Sequence, residues 1–377
     1  MGTVCSIEGA LKEPGPEVLQ CRCSGGVAGS MVVDQRNRAV FLQWRNEAGI
    51  PVVLPRLVRA VRKVRQVACG AEHYLVLTEA AVVYSGGLNS WGQLGIVDAE
   101  TRANSDLNPE RVDLSDVWCI SAAENSSMAV NNRGQAFAWG FDSGLGNLGL
   151  GGKPRQPSAV LVPTELRALR GIRLVAIACG ASVGFGISHL GMAYSWGECR
   201  HGLLGTGVKS HEFLPQKLSV FEGSCRVRSI SVGSRHALAV DVKGAIWQWG
   251  QVLNELQYKG AEPRVNAIPV RTAGGGHPLF VEVAAGCDHA LGLTNFGHVW
   301  GIGSNHQNQL GASPPVMLRD WTPLAGFDSV VEIATGHYHS VVMGRDHFPR
   351  FCGDGRASRF GGLPLTRLDL TLLSEPT

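Results

Sequence analysis

Seven imperfect copies of one hairpin unit, spaced about 50 residues apart, predict an all-β chain folded as a seven-bladed β-propeller. Three observations carry that prediction: the hairpin, the fixed register in which it recurs, and an abundance of glycine. The clearest copy is SISVGSRHALAVDVKGAIWQWG, residues 229–250. Gly233 and His236 open an alternating apolar strand, Asp241 to Gly244 make a polar turn, and a second strand ends at Trp249-Gly250. The opening small residue recurs as Gly26, Gly70, Ala123, Gly180, Gly233, Gly286 and Gly336, at intervals of 44, 53, 57, 53, 53 and 50 residues. Seventeen positions on stand Gln43, Gly87, Gly140, Gly197, Gly250, Gly303 and Gly353, so glycine holds this register in six copies of seven. The 49 glycines among 377 residues are about twice the usual share and call for tight turns rather than long helices.

A unit of this length has room for four short strands, the content of one blade. Gly134, Gly191, Gly244 and Gly297 mark the turn inside the hairpin, eleven positions after the opening residue. A G-x-L-G-like string follows at 91–95 (WGQLG), 146–149 (GNLG), 202–205 (GLLG) and 308–311 (NQLG); after Gly250 it is replaced by QVLNELQYKG. A WD-type propeller would show a period of roughly 40–45 residues ending in Trp-Asp. A kelch propeller would keep its Gly-Gly doublets in register, whereas those at 25–26, 86–87, 151–152 and 361–362 fall at different repeat positions. The predicted layout is a lead-in over 1–20, the propeller over 21–365 and a tail over 366–377. Residues 4–7, VCSI, look like a lone second hairpin strand. They read either as a strand closing the ring against the C-terminal blade or as part of a plain lead-in.

The pattern G-x-x-H, an aliphatic run, G-x-aromatic-x-W-G and then G-x-L-G resembles the regulator of chromosome condensation repeat. The likeness is most specific at 67–95, 229–250 and 283–311 and extends over about 20–362; the first repeat departs with Gln43-Trp44 and the last with Phe351-Cys352-Gly353. The resemblance implies a seven-bladed propeller with a non-catalytic, protein-binding role. The founding member promotes nucleotide exchange on the small GTPase Ran and docks on nucleosomes, while many relatives are adaptors. An exchange factor for a small GTPase and a stoichiometric adaptor are therefore the two readings, with chromatin binding behind them. This chain shows no basic N-terminal tail for chromatin, and the family's exchange-wedge residues match no particular positions in it. The Gly-Trp-Arg-His-Thr motif of the family's ultraviolet-B photoreceptors is absent, which argues against light sensing.

A net charge of +3 gives little support to whole-protein attraction for nucleic acid. No apolar run approaches about 18 residues, and the N-terminus lacks a basic stretch followed by an apolar core. The ten cysteines are scattered without a CxxC pair, which favours reduced structural thiols in a cytoplasmic or nuclear protein. A monomer with a protein partner and no cofactor is expected.

Several stretches invite chemistry. Gly144 to Gly149 match the dinucleotide fingerprint, but Leu150-Gly151-Gly152-Lys153-Pro154 cannot start the helix that would receive a pyrophosphate. His73, His236, His289 and His339 fall one per blade at one repeat position, where Gly29, Ser126 and Val183 stand in the other blades. Neutral imidazoles bonded to a neighbouring turn fit this better than a metal ring. Trp139, Trp196 and Trp249 end their strands as packing residues. No nucleophile, base and oxyanion donor assemble, so no catalytic residue is assigned.

Arg56, Arg59, Arg62, Lys63 and Arg65 crowd ten residues, with no acid from 51 to 70. They read as a solvated outer strand and linker, with Val58, Val61 and Val64 turned inward, or as a patch for an acidic protein surface or phosphate groups. The next linker, 98–116, carries six acids against two arginines, so neighbouring blades would differ in sign. The start, MGTVCS, matches an N-myristoylation signal at Gly2, with Cys5 placed for a palmitoyl group and membrane association as the consequence.

Overall fold

The computed structural model describes residues 5–6, 23–25, 29–47, 50–58, 61–97, 108–153, 155–223, 225–251, 253, 265–273, 278–311, 316–354, 363–368 and 370. Seven antiparallel sheets follow one another along the chain, and each is a blade whose strands a to d run from the ring axis outward. Blade one is Cys23–Gly25, Gly29–Val33, Ala39–Glu47 and Ile50–Leu57; blade two is Val64–Cys69, His73–Thr78, Val83–Gly87 and Glu110–Arg111. Blade three is Val117–Ala123, Ser126–Asn131, Ala136–Asp142 and Ser158–Glu165; blade four is Leu174–Cys179, Val183–Ser188, Ala193–Gly197 and Glu212–Lys217. Blade five is Val227–Val232, His236–Asp241, Ile246–Gln251 and Val265–Ala273; blade six is Phe280–Ala285, His289–Thr294, Val299–Ser304 and Met317–Pro323. Blade seven is Val330–Thr335, Tyr338–Gly344, Pro349–Asp354 and Leu363–Arg367. The chain is a seven-bladed β-propeller, as its repeat period requires.

Local chemistry sets the hairpins. At the turn between strands b and c, the carboxylate of Asp34 or Asp241, or the amide oxygen of Asn131, accepts backbone N–H groups two and four residues on. This side-chain mimic of a turn is what Asp and Asn supply. The eleventh position after the opening residue is left-handed in every blade. Glycine fills it four times, while Asn37, Ala81 and His347 adopt φ of 53°, 61° and 58° in the other three.

Strands a and b are buried almost throughout, and the core lies between the faces of successive sheets. One apolar cluster runs through blades three, four and five and holds the fully buried Trp196 and Trp249, while the fully buried Trp139 packs in a cluster between blades two and three. The outer strands carry Pro163, Pro215, Pro269 and Pro364 where their register against strand c slips. Proline at such a position interrupts the row of exposed N–H groups and blunts the edge against pairing with another chain.

The N-terminal strand departs from expectation. Cys5–Ser6 pairs antiparallel with Ile230 and Ser229, adding a fifth strand to the inner edge of blade five rather than closing the ring at blade seven. Blade seven completes itself with its own Leu363–Arg367. Closure instead comes from strand a of blade one packing on strands a and b of blade seven.

Candidate interaction surface

The recurring histidines are latches between blades. His73 Nε2 lies 2.9 Å from Ser127 Oγ of blade three, His289 Nε2 3.2 Å from Ser340 Oγ of blade seven, and His339 Nε2 2.6 Å from Ser30 Oγ of blade one. The partner is a serine four positions after the next blade's opening residue, not a neighbouring turn. That serine hydroxyl donates in turn to the carbonyl of Gln93 (from Ser127, 2.8 Å) or Gln309 (from Ser340, 2.7 Å), inside the G-x-L-G string of the preceding blade. The fourth histidine breaks the set. Ala290 stands where serine would be, and His236 Nε2 has no partner among the described residues. Blade five, like blades one and seven, also lacks the G-x-L-G string. Burial pushes the His73 pKa down to about 4 and those of His236 and His289 to about 3, so these imidazoles are neutral at physiological pH.

The G-x-L-G glycines serve the tryptophan of the following blade. A Cβ on Gly95 would stand 2.8 Å from Trp139 Nε1, one on Gly149 2.7 Å from Trp196 Cδ1, and one on Gly205 2.9 Å from Trp249 Nε1. The indole N–H of Trp139 donates to Gln93 O (3.0 Å) and that of Trp249 to Leu203 O (2.8 Å). After the aberrant loop of blade five, the corresponding position of blade six is Ile302 rather than Trp. Cys69, Cys179 and Cys352 are likewise interior, their thiols pushed up to about 12 by burial.

Among the described residues the basic stretch divides between elements. Arg65 is half-buried on strand a of blade two. Its guanidinium lies 5.3 Å from the centroid of Trp118 and donates to the Trp118 carbonyl, binding blade two to blade three. Desolvation lowers its pKa. Arg56 is half-buried on strand d of blade one, opposite Phe41, and Arg59 lies outside the described residues. Arg62 and Lys63 stand exposed on the link into blade two, while Val58, Val61 and Val64 pack inward as the periodicity suggests. Gly2 lies outside the described residues, and Cys5 falls within the added strand of blade five.

A denser basic site sits one interface further round. Links between blades and the b–c turns share one face of the ring. There Arg133 (turn of blade three) and Arg170 and Arg173 (link to blade four) line a cavity of about 310 Å³, floored by Ala136, Leu166, Leu169 and Ile172. Arg167 is exposed on the same link. Sequence reasoning passed over it, because Arg167, Arg170 and Arg173 are spaced three apart around a short 3₁₀ turn and Arg133 is remote in the chain.

Seven sheets, several of them latched to the next by side chains of one repeat register, define a propeller built from interlocking repeats. The regulator of chromosome condensation (RCC1) repeat matches residues 133–187 and 191–240. The Ultraviolet-B receptor UVR8 of Arabidopsis thaliana is 30% identical over 257 residues, 67% of this chain and 56% of the receptor. The chain thus spans about half the length of that relative. Human WBSCR16 has the same fold with a TM-score of 0.71 at 20% identity, covering 90% of this chain and 98% of that one. Prp20p of Saccharomyces cerevisiae, described with its binding to Gsp1p and histones, has a TM-score of 0.67 at 18% identity, covering 96% of this chain and 88% of that one. The chain carries the RCC1 repeat over those residues and shares its sevenfold propeller with RCC1-type structures.

Proposed function

We propose that this chain is a non-catalytic, protein-binding propeller that engages a small GTPase and promotes its nucleotide exchange. One observation carries the protein-binding part. His73, His289, His339, Trp139 and Trp249 bond across blades, while Arg62, Lys63, Arg133, Arg167 and Arg173 stand exposed. Such a ring offers a partner a rigid, preorganised surface, and complementary charge orients the encounter. The GTPase part takes its support from the RCC1 repeat match and from the shared fold of Prp20p, which binds Gsp1p. Exchange on this reading needs no chemical step, only tighter binding of the nucleotide-free partner.

The test is affinity capture on the immobilised full chain without added nucleotide, followed by elution with GTP. A small GTPase released by GTP supports exchange. A partner retained through the GTP wash favours the second reading, a stoichiometric adaptor. An interior location, cytoplasmic or nuclear, goes with either.

A further inference from the structure

The groove between blades three and four carries more cationic charge than its surroundings neutralise. Its one acid, Glu165, is already engaged. Arg170 grips both carboxylate oxygens, Nε at 3.0 Å from Oε1 and Nη2 on Oε2, and Gln135 Nε2 adds a contact at 3.4 Å. Arg170's hydrogen bond is the largest cause holding the Glu165 carboxyl below its usual range, with Arg167's charge adding to it. Arg133, Arg167 and Arg173 make no ion pair with any described residue. Arg133 and Arg173 thus line a concave site without a counter-charge, and Arg167 faces solvent on the same link.

The site is built rather than incidental. Gly134, buried with φ of 81°, lets the Arg173 chain lie directly on the turn: a Cβ there would stand 2.6 Å from Arg173 Cγ and 2.7 Å from its Cα. Leu174 N–H donates to Gly134 O at 3.0 Å, fixing the start of blade four against the same turn. Gly171, at φ of 85°, has open space where a side chain would project, which leaves the mouth of the groove clear. Leu166 and Leu169 are buried beneath, and Leu161 and Val162 stand exposed on the adjoining outer strand. The surface therefore offers a preset guanidinium rim over an apolar floor.

The neighbouring charges select the occupant. Asp113 and Asp116 stand exposed on the preceding link, and the Asp116 carbonyl accepts the N–H of Asn132 beside Arg133 at 2.7 Å. A nucleic acid continuing past the groove would meet these carboxylates, whereas a short acidic segment stays on the basic side. Arg170 on Glu165 shows the kind of bond on offer, a two-point guanidinium–carboxylate contact.

We propose that this groove docks an acidic, partly apolar segment of a protein partner, its carboxylates on Arg133 and Arg173 with Arg167 beside them, and its apolar side chains on Ile172 above the buried Leu166 and Leu169. The inference rests on the protein-binding part of the reading above and is independent of GTP exchange. The probe is a fluorescein-labelled 12-residue peptide of alternating Glu and Leu, titrated with the full chain by fluorescence polarisation. Binding should weaken about tenfold or more in R133E/R167E/R173E, by a similar factor in 0.5 M salt, and stay unchanged in R62E/K63E. The single R173A variant, checked by circular dichroism alongside the triple variant, keeps the test valid if three reversals disturb folding. Equal binding by R173A and wild type overturns the proposal. So does inorganic phosphate displacing the peptide at low millimolar concentration, which would make the groove a phosphate site, or a preference for single-stranded DNA over the peptide. Peptide binding without any GTP-eluted GTPase upholds the groove and removes the exchange reading; the reverse result upholds exchange and places docking elsewhere.

Discussion

Ser30→Ala removes one hydroxyl, and with it a buried side-chain bond between the first blade and the last, across 309 residues of chain. Ser30 and His339 are both fully buried, and their Oγ–Nε2 distance is 2.6 Å. The methyl that replaces the hydroxyl fills most of the space, so the packing loss is small. The main cost is an imidazole nitrogen deprived of that partner where water cannot reach, about 1–3 kcal/mol. Ser127→Ala makes a useful comparison in mid-ring. There the Gln93 carbonyl, which also accepts Trp139 Nε1 at 3.0 Å, keeps a donor when the hydroxyl goes, so the loss should be similar. Urea unfolding followed by both far-ultraviolet circular dichroism and tryptophan fluorescence measures it, with coincident transitions securing the free energy. Exposed Ser115→Ala should stay within about 0.5 kcal/mol of wild type. A Ser30→Ala variant as stable as Ser115→Ala would refute closure through this latch.

Ala290→Ser should stabilise the ring by about 0.5–1.5 kcal/mol in the same assay, because it offers a hydroxyl to His236 Nε2; a loss would show that the vacancy is sterically closed. Gly205→Ala should cost more than Gly311→Ala. Its Cβ would stand 2.9 Å from Trp249, whereas the nearest atom to a Cβ at Gly311 is Phe327 Cε2 at 3.4 Å; equal thermal shifts would sink that ranking. Stability should fall on acidification. The unfolded chain protonates each histidine near 6.5, whereas folded His73 resists to about 4 and His236 and His289 to about 3, so U binds more protons between those limits. The slope is up to about 1.4 kcal/mol per pH unit for each histidine, and unchanged melting from pH 7 to 5 would contradict it. Alkyne-myristate labelling separates the two readings of the N-terminus: use of Cys5–Ser6 as a strand predicts no label, and label abolished by Gly2→Ala would establish acylation.

The ring was legible in the chain because each blade repeats the same steric demands. A left-handed turn, a glycine beneath an indole and a small opening residue recur at fixed offsets, and so imprint a period. The latch was half legible. His73, His289 and His339 stood out, but their partners lie in the next blade, and Ser127, Ser340 and Ser30 announce themselves only when two repeats are superposed. The basic stretch left two readings open because its charges fall on different elements, an outer strand, a link and an inner strand. Arg65 turns onto Trp118 while Arg62 and Lys63 reach solvent, a distinction set by the neighbouring blade and invisible in a count of charges. The arginine groove escaped for the opposite reason, since Arg133 and Arg173 meet only when the turn of blade three folds against the link to blade four. Residues 4–7 read either as a strand on the last blade or as a plain lead-in, and the pairing of Cys5–Ser6 with blade five matches neither, because edge pairing leaves no mark on a segment so short.

Release of fluorescent GDP from a captured small GTPase, with the propeller at one-hundredth of its concentration, tests the proposed function most directly. The exchange reading predicts that each propeller molecule empties many GTPase molecules, at a rate rising with propeller concentration and requiring free nucleotide to complete. Release no faster than the spontaneous rate, from a GTPase that nonetheless binds one to one, would contradict exchange and leave an adaptor.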